Sequence, residues 1–209
     1  IDEKQIAELK VLYGFDKPPL ERYFSMLKRF ATFDLGKSFM RNKDVWQLIK
    51  EKLPVSLSLG LWTFVISYLL SIPLGIAKAM REGSRFDTLT TLLVLIGYAI
   101  PGFVLGVLLI VLFAGGTFLD WFPLRGLVSD NWAELSWPAR IGDYLWHLTL
   151  PLICFAIGSL AVVTMLTRNT FVEEIRKQYV LVARAKGLSE KRVLYKHVFR
   201  NALIPIVTG

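Results

Sequence analysis

The chain has 209 residues, of which 54% are hydrophobic and 20% charged, and its mean hydropathy is +0.47. That apolar share excludes disorder, and Cys154, the single cysteine, excludes a disulfide framework within the chain. A net charge of +8 would point to nucleic acid in a soluble protein, but here the basic residues lie outside long apolar stretches, as they do at membrane flanks.

The sequence opens on Ile1 rather than Met and stops at Gly209 inside a new apolar run, so we read it as part of a longer chain. Residues 1–52 are amphipathic and mixed in charge. Ile6, Leu9 and Tyr13 share a helical face, and Gly14 is placed to end that helix. Pro18 and Pro19 suit a second helix start, with Tyr23, Phe24, Leu27, Phe30 and Ala31 at helical spacing and an end near Gly36. Asp44 has the chemistry of an N-cap for a helical segment carrying Val45, Leu48 and Ile49 and leading into the first span.

A helix crosses a bilayer core with roughly 20 apolar residues, and three stretches reach that length. Leu53 to Ala77 carries no charge. Thr88 to Leu119 is uncharged, longer than one crossing needs, and interrupted by Gly97, Pro101 and Gly102. Tyr144 to Thr167 contains only His147, near one end. Pro73, Pro101 and Pro151 lie inside these spans, where neighbouring helices can re-satisfy the freed carbonyl. Cys154, in the third, reads as a buried, inert thiol. A fourth apolar run begins at Asn201.

Residues 116–143 join the second and third spans. Trp121, Trp132, Trp137 and Trp146 crowd this stretch and its edge, which suits an interfacial aromatic belt. Three spans place residues 1–52 and 116–143 on one side and 78–87 and 168–200 on the other. Lys and Arg number thirteen on the first side and twelve on the second, so the charge rule leaves the orientation open.

Asn169 to Arg200 is the most ordered basic stretch. Its first half reads as a helix with Ile175, Tyr179, Val182 and Ala183 on one face; Ala183 and Ala185 keep its end slim, and Gly187 is placed for the left-handed turn that stops it. Ser189 can cap a second helix, with Glu190 complementing its dipole and Leu188 packing on Val193 as a hydrophobic staple. Val193, Leu194, His197 and Val198 continue the apolar side. Two short helices therefore meet at a preset corner. Such a corner can dock in a groove of another protein, or it can rest on anionic lipid as a basic amphipathic loop; spacing leaves both open.

The run Tyr179-Val-Leu-Val-Ala183-Arg-Ala185-Lys-Gly187-Leu-Ser189, followed by His197-Val-Phe-Arg200-Asn201-Ala-Leu-Ile-Pro205, resembles the EAA loop of bacterial ABC importer permeases, most closely the dipeptide/oligopeptide/nickel branch. The resemblance extends along nearly the whole chain, through Leu12-Tyr-Gly14-Phe-Asp16, Asp34-Leu-Gly36-Lys-Ser38, Ile72-Pro73-Leu-Gly75, Ile100-Pro101-Gly-Phe103 and Trp121-Phe-Pro123-Leu-Arg-Gly126. Departures are Leu181-Val182-Ala183 in place of Glu-Ala-Ala, Arg200 where the general motif has proline, and Gln178 where many relatives have an acid.

The resemblance implies an all-α, polytopic transmembrane bundle of about six spans. Residues 1–52 would be a periplasmic helical segment and 53–209 a permease core, with a cytoplasmic coupling loop over 168–200. It implies an inner-membrane subunit that takes peptides or peptide-like compounds. The implied partners are a second homologous permease, cytoplasmic ATPase subunits or a fused double ATPase, a periplasmic substrate-binding protein and membrane lipid; nucleic acid is not among them. No cofactor is implied for this chain, ATP and Mg belonging to the ATPases. Coupling would run through Tyr179, Ala183, Arg184, Ala185, Lys186, Gly187, Leu188, His197 and Arg200. A translocation pathway is expected around Tyr98, Pro101, Phe103, Ser159 and Thr164.

The sequence holds no phosphate loop of the G-x-x-x-x-G-K-[ST] type, no H-E-x-x-H and no cysteine pair. His147 reads as a span-end anchor and His197 as part of the corner's packing. An ion-coupled secondary transporter or channel subunit is the alternative; such proteins usually carry ionisable residues within their spans, and the visible spans have none near their centres.

Overall fold

The computed structural model describes residues 10, 14–15, 17–38, 40–116 and 118–208; the expected helical face of Ile6, Leu9 and Tyr13 lies outside them. The chain divides into two compact units, Ile1–Pro54 and Val55–Gly209, and the described residues are helical apart from turns and one isolated bridge between Lys37 and Asp44. The fold is an all-α membrane bundle.

In the first unit, helix α1 (Pro19–Ala31) starts with proline at its first position, where a missing N–H costs nothing. Its polar stripe of Glu21, Arg22, Ser25, Lys28 and Arg29 opposes Leu20, Tyr23, Phe24, Leu27 and Phe30 at helical spacing. The Thr32 hydroxyl donates to the Lys28 and Arg29 carbonyls and closes the helix. Gly36, at φ +67°, follows in the left-handed region. Trp46 then donates its indole N–H to the Phe33 carbonyl at 2.6 Å, and the Val45 N–H donates to Gly36 O at 2.9 Å.

Helix α2 (Val45–Ala79) runs 35 residues. The helical segment expected from Val45 and the span expected from Leu53 are one helix, which continues through Pro54 and Pro73. In the second unit, α3 (Arg85–Ala99) and α4 (Gly102–Phe113) replace the single interrupted stretch expected from Thr88 to Leu119. They meet at 87°. Ile100 is extended at ψ 117°, because the ring of Pro101 disfavours a helical residue before it. Gly97 remains inside α3. Among the described residues, two helices are long and apolar enough to cross a membrane, or three if the bent pair is one span.

Helix α5 (Trp137–Ile175) runs 39 residues, through Pro151, and packs against α3, α4 and the final helix α8 (Phe199–Thr208). Its early turns hold the tryptophan-rich connection. Trp146 donates to Trp121 O at 2.7 Å, Arg140 stacks over Trp132, and Asp143 accepts from the Ser129 N–H and hydroxyl. His147 is buried, with Nδ1 2.8 Å from Asp143 O. Cys154 is half-buried, facing Gly106.

Helix α2 meets α5 at Ser71 and Gly75, and Thr63 and Ser67 continue the same stripe of small residues at every fourth position. Apolar lipid supplies no hydrophobic drive between helices, so close backbone approach through small residues takes its place. Ser67 and Ser71 are fully buried, and the Ser71 hydroxyl donates to Leu160 O at 3.2 Å. A Cβ added at Gly75 would lie 2.6 Å from Thr167 Cβ and 2.9 Å from Thr164 O, whereas one at Gly60 meets nothing within 4 Å. Gly75→Leu is therefore expected to destabilise the bundle by about 1–3 kcal/mol, as overpacking does, while Gly60→Leu leaves it unchanged. Thermal unfolding in detergent, followed by exposure of the Cys154 thiol to a maleimide dye, reads the difference; equal midpoints for the two variants would contradict the close approach.

Candidate functional site

The buried charged side chains gather toward the C-terminal end of α5. Lys78, near the end of α2, is fully buried. Its ammonium lies 3.1 Å from Asp87 Oδ1 and donates to Asp87 O at 2.9 Å, Thr90 Oγ1 at 2.9 Å and Thr91 Oγ1 at 2.6 Å. Arg168 on α5 grips the same carboxylate with two bonds, Nη2 to Oδ2 at 2.7 Å and Nε to Oδ1 at 3.0 Å. The Gly83 N–H donates to Asp87 Oδ2 at 3.2 Å. Ser84 caps α3 by accepting from the Asp87 N–H. A buried ion group is tolerated only when each charge is paired and hydrogen-bonded, and this one is. Nearby, Arg176 reaches Glu82 at 2.8 Å, an exposed pair that contributes little.

Beyond Arg168 the expected continuous helix breaks. Helix α5 ends at Ile175, Lys177 is extended at ψ 148°, and α6 (Gln178–Ala185) begins in a new register. Val180 and Ala183 consequently point inward, while Val182 is 52% exposed, so the face predicted through Val182 does not exist. Glu174 holds the joint. Its buried carboxylate pairs with Lys177 and accepts the Tyr179 hydroxyl at 2.6 Å. The Tyr179 oxygen also lies 3.3 Å from His197 O and accepts from Asn201 at 3.1 Å. Burial, and then the bond to Glu174, raise the Tyr179 phenol above its ordinary pKa, and Glu174 raises that of Lys177.

The corner itself forms as expected. Gly187 sits at φ +76°, and the Leu188 N–H returns to Ala183 O. Ser189 takes the extended cap conformation, but its hydroxyl makes no capping bond; its carbonyl accepts from the Val193 N–H instead. Arg184 pairs with Glu190 across the turn at 2.8 Å. After α7 (Glu190–Arg192) comes a π-helical turn, Val193–Val198, and then α8. Val193, Val198, Ala202 and Ile206 are buried together with Ala79, Phe171, Val180 and Ala183, and Leu188 packs against this cluster. The extra residue of the π turn lets Val193 and Val198, five apart, share a face.

Of the expected coupling residues, Arg184, Ala185, Lys186, Gly187 and Arg200 are exposed; Tyr179, Leu188 and His197 are half-buried; Ala183 is buried. The small size of Ala183 thus serves the corner's own packing, and Ala185 is the slim residue at the surface. Of the pathway residues, Tyr98, Pro101 and Phe103 are exposed around the α3–α4 bend, Ser159 is half-buried, and Thr164 is buried against Gly75. Sequence reading missed Lys78, Asp87, Arg168 and Glu174. The available signal was a lysine and an aspartate facing each other across a short link between two spans.

The described residues form a helical membrane core with an ordered, basic corner beyond its longest helix. The chain belongs to the family of binding-protein-dependent transport system inner membrane components, whose model matches residues 71–209, and it is a multi-pass protein of the bacterial inner membrane. It is 57% identical over 209 residues to the peptidoglycan transport system permease protein YejB of Agrobacterium fabrum, covering 100% of this chain and 57% of that protein. It is 56% identical over the same length to the inner membrane ABC transporter permease protein YejB of Escherichia coli O157:H7, again 100% of this chain and 57% of that protein. The dipeptide transport system permease protein DppB of Lactococcus lactis is 36% identical over 205 residues, 98% of this chain and 62% of that protein. The chain thus spans about three fifths of the length of these relatives.

Two outcomes follow for the corner. Gly187→Val has room, since nothing lies within 4 Å of an added Cβ, but it strains a left-handed residue by about 1–2 kcal/mol, whereas Gly187→Asn is tolerated. Tyr179→Phe cuts three hydrogen-bonding contacts and should speed tryptic cleavage at Lys177 roughly fivefold or more, the effect of losing about 1 kcal/mol. Unchanged digestion of Tyr179→Phe, or equal behaviour of the two Gly187 variants, would contradict these assignments.

Proposed function

We propose that the chain is a permease subunit of an ATP-driven importer that forms part of the pathway for peptides or peptide-like compounds. The observation that carries this is the ordered corner that follows α6, a short helix fastened to the end of the span-length helix α5, with Arg184 to Gly187 at its surface. Family membership supports it. The names of the relatives, which refer to peptidoglycan and dipeptide transport, support a substrate of peptide character.

In this reading residues 1–52 face the periplasm and 168–200 the cytoplasm. ATP and Mg bind cytoplasmic ATPase subunits, separate or fused. Two permeases, this one and a homologue, each seat a corner in an ATPase groove. Closure of the ATPases on ATP draws the corners together and tilts the attached helices, which opens the pathway toward a periplasmic binding protein. Hydrolysis resets it. Arg184 and Lys186 steer the corner into its groove by charge, and Ala185 leaves room for entry. The α3–α4 bend around Tyr98, Pro101 and Phe103 is the pathway segment of this chain.

Ala185→Glu should lower ATP-dependent uptake by at least about tenfold through misplacement of the docked corner, with the complex present at its normal level in the membrane. Cysteines at Ala185 and Lys186 should crosslink to the ATPase with a yield that changes on nucleotide addition. Full uptake by Ala185→Glu, with crosslinks only to lipid, would make the corner a loop resting on the membrane. Uptake that follows the proton gradient without any ATPase would make the protein an ion-coupled carrier.

A further inference from the structure

We infer that Asp87, clamped between Lys78 and Arg168, is a positioning residue that makes the adjoining ends of α2, α3 and α5 one rigid lever, so that movement of the corner is delivered to the bent pair α3–α4. The inference rests on the importer reading above and names the part that carries its motion.

Helix α5 runs without interruption from Arg168 to Ile175, and Glu174 fastens it to α6 through Tyr179 and Lys177. A displacement of the corner passes along α6 to Tyr179 and Glu174, and from there reaches Arg168 within two turns of α5. Arg168 holds Asp87 by a two-bond fork of 2.7 and 3.0 Å. A hydrogen bond is lost beyond roughly 3.5 Å, so sliding of α5 past α3 by about 1 Å would break the fork. Breaking it would leave a buried carboxylate short of a partner, which is costly in a low-dielectric site. Lys78 ties α2 into the same carboxylate and to Thr90 and Thr91. None of these three segments can slip alone.

The far end of α3 is the 87° bend at Ile100 and Pro101, where the backbone leaves the helical ladder and can absorb a change of angle. Rigidity at Asp87 and a break at Pro101 together turn a push on the corner into a rotation of α3 against α4. The exposed Arg176–Glu82 pair duplicates the link only weakly.

The test uses the full-length chain assembled with its partners, with Cys154→Ala and spin labels on cysteines at the exposed positions Arg85 and Glu173. The parent should show a narrow α3–α5 distance distribution with and without nucleotide. Asp87→Asn should broaden it and lower uptake per ATP hydrolysed by at least about tenfold, as loss of a buried ion-pair partner does to an equilibrium that depends on it. ATP hydrolysis and ATPase association should persist. If Asp87→Asn alone fails to fold, the double variant Lys78→Met with Asp87→Asn removes both buried charges and reads the same quantities. A distribution that stays narrow, or uptake that stays full while it broadens, overturns the lever. If the parent itself takes up peptide without an ATPase, the importer reading fails separately, and the distance distribution still decides whether the three helices move as one.

Discussion

An ammonium group and a carboxylate withdrawn from water must satisfy each other and every remaining donor, or the fold loses several kcal/mol for each ion. Lys78, Asp87 and Arg168 meet that requirement with oxygens and nitrogens drawn from α2, from the start of α3 and from α5. The geometry leaves no slack, so the exit point of α5 is set. From that point Glu174 can reach Tyr179, and Val180 and Ala183 of α6 enter the apolar cluster beneath the corner.

Packing along the rest of the bundle follows a different rule. Between α2 and α5 the contact is backbone against backbone, made possible by Ser67, Ser71 and Gly75 and closed by Thr164 and Thr167. At the corner the contact is apolar: Phe171, Val180, Val193, Val198, Ala202 and Ile206 form a cluster that water cannot enter. An α-helix turns 100° per residue and would carry Val198 away from the face of Val193. The π turn restores it, and Tyr179 meets the His197 carbonyl within that turn. A short basic surface of Arg184, Ala185, Lys186 and Gly187 remains outside.

Much of this is legible in the amino-acid sequence. Continuous apolar runs gave the span-length helices, Pro18 and Pro19 marked the start of α1, and Gly187 marked the corner, each through a local property of backbone or solvent. The break after Ile175 was not legible, because residues 169–185 read as uninterrupted helix; in the structure it is bridged by the Glu174 carboxylate, which takes bonds from Lys177 and Tyr179 of the next segment. The π turn was hidden for a similar reason, since five-residue spacing between two valines means nothing until both have a common surface to cover. Ser189 had the right identity for a cap and the right backbone, yet its hydroxyl makes no capping bond.

Composition and periodicity by themselves determined a helical membrane protein, its approximate spans and its ordered basic corner, since bilayer thickness and φ/ψ preferences act on short stretches of chain. Which residues would be buried as charges was decided only in three dimensions. Lys78 and Asp87 lie nine residues apart across a link that reads as an ordinary solvated loop, and Arg168 lies 81 residues beyond Asp87. Only when α5 packs beside α3 does the guanidinium reach the carboxylate, and only then does burying the lysine become favourable, because the energy of each charge depends on partners that the sequence places far away.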